Sequence, residues 1–507
     1  MLYPILYGAT AISLGLWYFY QRNESRSRLF QTLFFGLFAA YLLTVFAAQV
    51  PFGQKLSVLF RDLVVLSVAG LAFLWAGYQK RKFYIAAAVV GLGLAWFYYA
   101  FIPNSLTETP NVTQSYEPTA ELLVELAEGE SPDALQAVVY KYGLTAKPCF
   151  EPASADVTEL DDYLAVDIPD EQLDQVSSII ADLQQIPQVD WVEPNEQVNI
   201  DPIPAKKLPN INHRFGIDDP GLEHLWGFEA MKVDALYKLT RSSKLQPQAK
   251  ALIAILDTGV DGQHEDLQGH YRSLNPADDN DPKGHGTHCA GIAGAVSNNG
   301  VGVASFSLGN DFVEITSIKV LNAAGMGSQR SIINGMIKAA DAGAAVISLS
   351  LGGLSNQKRE RAYQKAVNYA LQKGAIVVAA AGNANRNAKN YVPAGVDGVI
   401  SVSAIDQELQ RAVFSNYITD LRMGIAAPGV NIYSTTPGSQ YATYSGTSMA
   451  APYVSGLVGL LKSLDPSLTA EEVHTLLQQT GKNTKNTKET GKLIQPHAAV
   501  AALISNS

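Results

Sequence analysis

Cysteine is almost absent from this chain, with only Cys149 and Cys289 in 507 residues. Two cysteines make no disulfide framework, so the fold must rest on buried apolar surface. There is no run of basic residues, no Cys/His spacing of the zinc type and no glycine-rich phosphate loop. Nucleic acid, zinc and nucleotides are therefore not expected partners. Charge is sparse, at 17% of residues with a net of −10, and it is unevenly spread. Residues 1–104 carry +6, residues 105–200 carry −18, and the remainder carries +2. A chain of this length has room for two or three domains.

The first 104 residues contain what the rest lacks, long apolar runs. Candidate spans at 2–20, 29–50, 57–78 and 83–103 are each long enough to cross a bilayer as a helix. Basic residues cluster between the first and second (Arg22, Arg26, Arg28) and between the third and fourth (Lys80, Arg81, Lys82). The middle loop offers mainly Lys55. The positive-inside rule puts the two basic loops in the cytoplasm and everything after the fourth span outside it. A cleaved signal peptide fits poorly, because no positive segment precedes the first run and three more spans follow. Arg61 and Asp62 lie near the outer end of the third span, where an interfacial ion pair or snorkelling accounts for them. The expectation is a transmembrane region of about four helices over 1–104, with the lipid bilayer as a partner and the remaining chain extracytoplasmic.

After a polar linker at 105–116, residues 117–200 read as a small α+β domain. ELLVEL, TAKPCFEP, DYLAVDIP and VDWVEP are strand-like, SPDALQAVVYKYGL opens with a Ser-Pro helix start, and DEQLDQVSSIIADLQQI is an amphipathic helix. The order βαββαβ is ferredoxin-like.

Four short segments further on carry chemistry. ALIAILDTGVD delivers Asp257 at the end of a buried strand, where open α/β sheets place their sites. GHGTHCAG holds His285 at the head of a small-residue helix. YSGTSMAAP sets Ser448 at the start of an apolar helix, where free N–H groups and the helix dipole favour negative charge. GAIVVAAAGN ends a second buried strand at Asn383. Each segment alone reads as a turn or a cap. Together, in the order Asp…His…Ser, they supply a nucleophile, a base, a carboxylate to orient it and an oxyanion donor.

DTG, HGTH, AAAGN and GTSMAAP make the chain from about 221 to its end resemble the subtilisin-like serine proteases, the subtilases. The resemblance implies an α/β catalytic domain with a parallel sheet (221–507), a triad of Asp257, His285 and Ser448, and an oxyanion hole made by Asn383 and the Ser448 N–H. His288 is then structural. It also implies a groove between KVLNAAGMGSQ, with Gly325 and Gly327, and SLGG, with Ser350, Leu351 and Gly352, in which an extended peptide adds a strand. Ala380, Ala381 and Gly382 with Ser350–Gly352 would line an uncharged first pocket. Calcium is implied at Asp266, Asn299 and the main-chain oxygens of Val296, Val301 and Val303, with Asp406 at a weaker cation position. Residues 117–200 resemble the family's inhibitory propeptide. The segment 196–212, within and before the processing linker 201–220, is then expected to be cut by the enzyme itself, its cut end lying in the groove. Two departures concern loops: PYVSG where the family often has PHVAG, so that Tyr453 replaces a non-triad histidine, and a polar interval of 28 residues between Asp257 and His285. The expected activity is an extracytoplasmic, membrane-anchored serine endopeptidase acting on proteins or peptides, with its own prodomain as intramolecular inhibitor. The alternatives are an inactive binding protein on the same fold, or a membrane sensor with an appended protease.

Overall fold

The computed structural model describes residues 2–20, 24–47, 59, 120–200, 203–204, 215–309, 311–354 and 360–506. It divides into two units, Met1–Ser115 and Tyr116–Ser507.

In the first unit two helices are described, α1 (Leu2–Phe19) and α2 (Glu24–Ala47). They pack through aromatic rings. Trp17 lies 5.9 Å from Phe34, and Phe34, Phe38 and Tyr41 follow one another along α2. Glu24–Thr44 is long and apolar enough to cross a membrane. The helix begins at Glu24, ahead of the expected 29. The spans expected at 57–78 and 83–103, with Arg61 and Asp62, lie outside the described residues apart from Leu59.

The second unit begins with four strands, β1 (Leu122–Leu126), β2 (Thr145–Pro148), β3 (Tyr163–Asp167) and β4 (Val189–Pro194). Helices α3 (Gln136–Tyr142) and α4 (Val176–Leu183) join them. The antiparallel sheet has the order β2-β3-β1-β4, the βαββαβ arrangement expected from the sequence. Leu122, Val124, Leu135, Val166, Ile179 and Leu183 form its core. Two short strands follow, β5 (Gln197–Asn199) and β6 (Ile203–Pro204).

The remainder is an α/β layer structure around β7 (Ala251–Asp257). Every residue of β7 is buried, as a strand covered on both faces by helices requires. Its companions are β8 (Val313–Lys319), β10 (Val346–Leu349), β12 (Ile376–Ala380), β14 (Ile400–Ile405) and β15 (Gly424–Pro428). All pair in parallel, in the order β15-β14-β12-β10-β7-β8. Short strands at the rim are β9 (Met326–Ser328), β11 (Gly353–Leu354), β13 (Tyr391–Val392), β16 (Ile432–Thr436) and β17 (Gln440–Ser445).

The helix Thr447–Leu464 is buried along all 18 residues, which suits a helix apolar on every side. The helices His285–Gly294, Gln329–Asp341 and Arg361–Gln372 complete the layers. The core of this part already includes Phe215.

The four-stranded sheet meets two helices of the larger layer structure, Gln329–Asp341 and Arg361–Gln372, through its acidic side chains. Glu125, 1% exposed, takes Lys365 Nζ at 2.8 Å and Arg361 at 3.0 Å, and accepts the Tyr163 hydroxyl at 2.6 Å. Lys365 also pairs with Glu159. At the end of β4, Glu193 accepts from Gln329 Nε2, the Asn195 amide oxygen from the Arg330 N–H, and the Glu196 carbonyl from the Gln329 N–H. Main-chain donors at the start of the helix Gln329–Asp341, which have no acceptor within the helix, are thus satisfied from outside it.

Candidate active site

Asp257 closes β7, and His285 opens the helix His285–Gly294. The His285 Nδ1 lies 2.8 and 2.9 Å from the two carboxylate oxygens of Asp257. Both side chains are buried. Asp257 Oδ1 also accepts from the Thr258 N–H at 2.7 Å, which fixes the carboxylate plane. Burial pushes the imidazole toward its neutral form, but the Asp257 carboxylate outweighs it and holds His285 well above its usual range. With Nδ1–H committed to Asp257, the buried Nε2 has no hydrogen-bond partner among the described residues. It is therefore available to receive a proton.

Ser448 is the second residue of the helix Thr447–Leu464. Its hydroxyl donates to the Ser350 carbonyl at 2.9 Å, and such contacts in a ligand-free site rearrange when substrate binds. Its own carbonyl is held in a way that follows from Pro452, four residues on. Proline has no N–H to give that carbonyl, and instead Ser350 Oγ donates to it at 2.8 Å and Cys289 Sγ at 3.4 Å. Cys289 is fully buried and thus anchors the backbone of the serine. Asp257, His285 and Cys289 bring ligand-type atoms within 4.8 Å of one another, a grouping explained by these contacts.

Asn383 lies beyond the end of β12. Its Oδ1 accepts from both the Thr447 N–H at 2.8 Å and the Thr447 hydroxyl at 2.9 Å. A backbone N–H can only donate, so the amide orientation is determined and Nδ2 is left as a donor. A Cβ at Gly446 would meet that nitrogen at 3.4 Å, so it lies beside the turn that carries Ser448. Ala380 and Ala381 are buried, Gly382 is half-buried, and Leu351 is 2% exposed. These two runs end the adjacent strands β12 and β10. At Gly382 the backbone has φ of +101°, and a side chain would sit 2.5 Å from Asn416 Nδ2.

His288 is a different kind of histidine. It stacks on Tyr444 with centroids 4.4 Å apart, places Nε2 3.1 Å from the Ala442 carbonyl, and is pushed down to about 3 by burial. It is held neutral and packed against Tyr444, away from Asp257.

One residue escaped the sequence reading. Asp281 is buried and accepts five hydrogen bonds, from Thr258 Oγ1, the N–H groups of Lys283, Gly284 and Thr287, and Thr287 Oγ1. It thereby fixes the turn that sets the angle of His285. Among the acidic residues of NPADDNDPKG nothing in the sequence singles it out.

The two glycines of the expected groove strand flank Met326 in β9. β9 pairs antiparallel with β5, Val198 opposite Gly327 and Asn199 opposite Met326. Ile200 continues this pairing by donating its N–H to the Gly325 carbonyl at 3.1 Å. Gly325 has φ of +85°, and a Cβ there would sit 2.8 Å from Ile200 Cγ1. The smaller lobe's outgoing strand therefore lies along the expected groove strand.

The expected metal residues converge in part. Asp266 is fully buried, with Oδ1 accepting from Asn299 Nδ2 at 2.9 Å and Oδ2 from the Val303 N–H at 2.7 Å. The Val296 N–H donates to its carbonyl, and Asn299 Oδ1 accepts from Val301. Burial, helped by Asp219 and Glu265, pushes its carboxyl up to about 7 against these hydrogen bonds. Both Asp266 oxygens thus already accept N–H groups, and Asn299 turns Nδ2 toward Asp266 while its Oδ1 faces the Val301 N–H. Asp406 instead accepts the N–H groups of Glu408 and Gln410 in a local turn.

A family model described as the subtilase family matches residues 248–493. Thermitase of Thermoactinomyces vulgaris is 48% identical over 220 residues, 42% of this chain and 75% of that protein. The thermophilic serine proteinase of Bacillus sp. (strain AK1) is 39% identical over 293 residues, 57% of this chain and 67% of the relative. Subtilisin DY of Bacillus licheniformis is 38% identical over 273 residues, 52% of this chain and 96% of the relative.

Proposed function

The chain belongs to the subtilase family and is a subtilisin-like serine endopeptidase; from that premise we propose that it hydrolyses peptide bonds with Ser448 as nucleophile, His285 as general base and acid, and Asp257 as the carboxylate that orients His285. Ser448 Oγ adds to the substrate carbonyl as His285 Nε2 takes its proton. The oxyanion is met by Asn383 Nδ2 and the Ser448 N–H. His285 then protonates the leaving amine, and water resolves the acyl-enzyme by the same route. The observation that carries this reading is the buried His285, tied to Asp257 through Nδ1 with Nε2 open. Extended substrates would pair with Gly325–Gly327 on one side and Ser350–Gly352 on the other. They would offer an uncharged side chain to the pocket of Ala380, Ala381 and Gly382.

The βαββαβ lobe acts as an inhibitory prodomain in this proposal. Its ion pairs with Arg361 and Lys365 and its strand β5 beside β9 support that role. Latency ends when the linker within 196–212 leaves the groove, and self-processing there would also sever the protease from the N-terminal region. The helix Glu24–Thr44, long and apolar enough to cross a membrane, supports an N-terminal anchor; the apolar runs at 2–20, 57–78 and 83–103 would extend it to several spans and leave both later domains extracytoplasmic. Ca²⁺ held by Asp266, Asn299 and carbonyls of Val296, Val301 and Val303 would supply positive charge to a loop rich in carboxylates. Hydrolysis of a quenched extended peptide by processed wild-type protein, absent in Ser448→Ala, tests the activity. Equal rates in the two proteins would contradict it.

A further inference from the structure

Beside the strand that carries Asp257, one lysine gives its ammonium to neutral oxygens. Lys319 ends β8 and stands opposite Asp257 at the end of β7. Its Nζ donates to the Ala277 carbonyl and to Asn280 Oδ1, both at 2.9 Å. It forms no ion pair among the described residues. A lysine ordinarily lays its stem on the surface and keeps its head in water. Two bonds from that head into one turn are a specific contact.

The turn is short of positive charge. Asp278, Asp279 and Asp281 crowd it, and each is met by neutral donors. Asn275 Nδ2 serves Asp278, and the hydroxyls of Tyr271 and Ser273 serve Asp279. Two threonine hydroxyls and three main-chain N–H groups serve Asp281. Burial raises the Asp278 carboxyl, and the Lys319 N–H, Asn275 and the charges of Lys319 and Lys338 oppose it.

The contact reaches His285 through close packing at two glycines. At Gly259, two residues past Asp257, φ is +112°. A Cβ there would sit 2.0 Å from the Asn280 carbonyl oxygen and 2.8 Å from Lys319 Cε. At Gly286, next to His285, a Cβ would sit 2.0 Å from the Gly259 carbonyl oxygen and 3.0 Å from Asp257 Cβ. Lys319, Asn280, Gly259 and Gly286 thus form one stack, from the turn to the head of the helix His285–Gly294. Close-packed groups of this kind pass on small shifts.

We infer that Lys319 is a positioning residue for His285: its ammonium is the built-in cation of the turn 277–281, pressing Asn280 onto Gly259 and so fixing His285 against Asp257. The inference rests on the catalytic roles proposed above. Lys319 acts through Asn280 and takes no part in proton transfer. A neutral side chain in its place leaves the Ala277 carbonyl and Asn280 Oδ1 without their donor, and the turn is then free to move off Gly259.

The test uses the full-length chain as wild type, Lys319→Met and Lys319→Ala, and reads the rate at which a fluorophosphonate labels Ser448 at fixed pH. Both variants are expected to be labelled roughly 10- to 100-fold more slowly, the scale on which a small misplacement slows catalysis. Lys319→Ala leaves room for a small ammonium ion, whereas the stem of Lys319→Met fills it. Methylammonium or ethylammonium is therefore expected to restore much of the rate in Lys319→Ala and none in Lys319→Met. Tetramethylammonium at equal ionic strength has no N–H to give and should restore neither. Wild-type rates in both variants would overturn the inference. So would slow labelling of Lys319→Ala on which methylammonium and tetramethylammonium act alike or not at all. If neither lysine variant folds, Asn280→Ala carries the test, with slower labelling expected and an unchanged rate overturning the inference. If Ser448 goes unlabelled in wild type as well, the proposed catalytic role fails, and this inference falls with it.

Discussion

Glu193 makes the grip of the smaller lobe on the protease sensitive to pH. It is fully buried at the end of β4, accepting from Trp191 Nε1 at 3.0 Å and Gln329 Nε2 at 2.8 Å. Burial pushes its carboxyl from 4.5 up to about 7, with the bonds from Trp191, Ala362 and Gln329 opposing. A raised carboxyl favours the protonated form in the docked state. Docking is therefore strongest below about pH 4.5, weakens as pH rises, and reaches its floor above about pH 7. The difference is worth about 3 kcal/mol, or roughly 100-fold in the opening equilibrium. Glu193→Gln keeps the size of the side chain and cannot titrate. The assay is the rate at which a fluorophosphonate reaches Ser448 in the full-length chain, expressed as wild type over Glu193→Gln at each pH. Taking this ratio cancels the titration of His285. It should rise between pH 4.5 and 7.5 and then level off. A ratio that is flat across that window would refute the reasoning.

Other perturbations have equally definite outcomes. Lys365→Met removes the nearer of two cations from the buried Glu125 and should loosen the lobe by about 3 kcal/mol, seen as faster hydrogen exchange at β5; unchanged protection would contradict it. Asp281→Asn puts a donor where the carboxylate now accepts from Thr287 or Gly284. It should cost about 2 kcal/mol in thermal or denaturant stability and lower kcat more than it raises KM. Asn383→Ala should lower kcat by roughly 10²- to 10³-fold with little change in KM, since Nδ2 is engaged only once the oxyanion forms.

The candidate catalytic residues were legible because each sits where an apolar run meets a turn with glycine nearby, Asp257 and Asn383 after buried strands, His285 and Ser448 at the heads of small-residue or apolar helices. The βαββαβ order was legible for a related reason, since strand-like runs alternate with helix signals and turn residues between 117 and 200. What the sequence hid are contacts made by residues with common side chains. Asp281 is one aspartate among several in its loop, and only the fold brings Thr258 and Thr287 to it. The carbonyl of Ser448 depends on Pro452 within its helix and on Ser350 and Cys289 outside it, a link no local pattern encodes. The seating of β5 was hidden too, because QVN has no strand signature of its own and pairs with β9 across more than a hundred residues.

The central claim is that Ser448 is a nucleophile activated by His285. Its most direct test is to treat the processed protein with a fluorophosphonate and map the adduct by peptide mass spectrometry. A single adduct on Ser448 is predicted, lost in Ser448→Ala and slowed by orders of magnitude in His285→Ala. An unmodified Ser448 in folded, processed protein, or labelling equally fast without His285, would contradict the account.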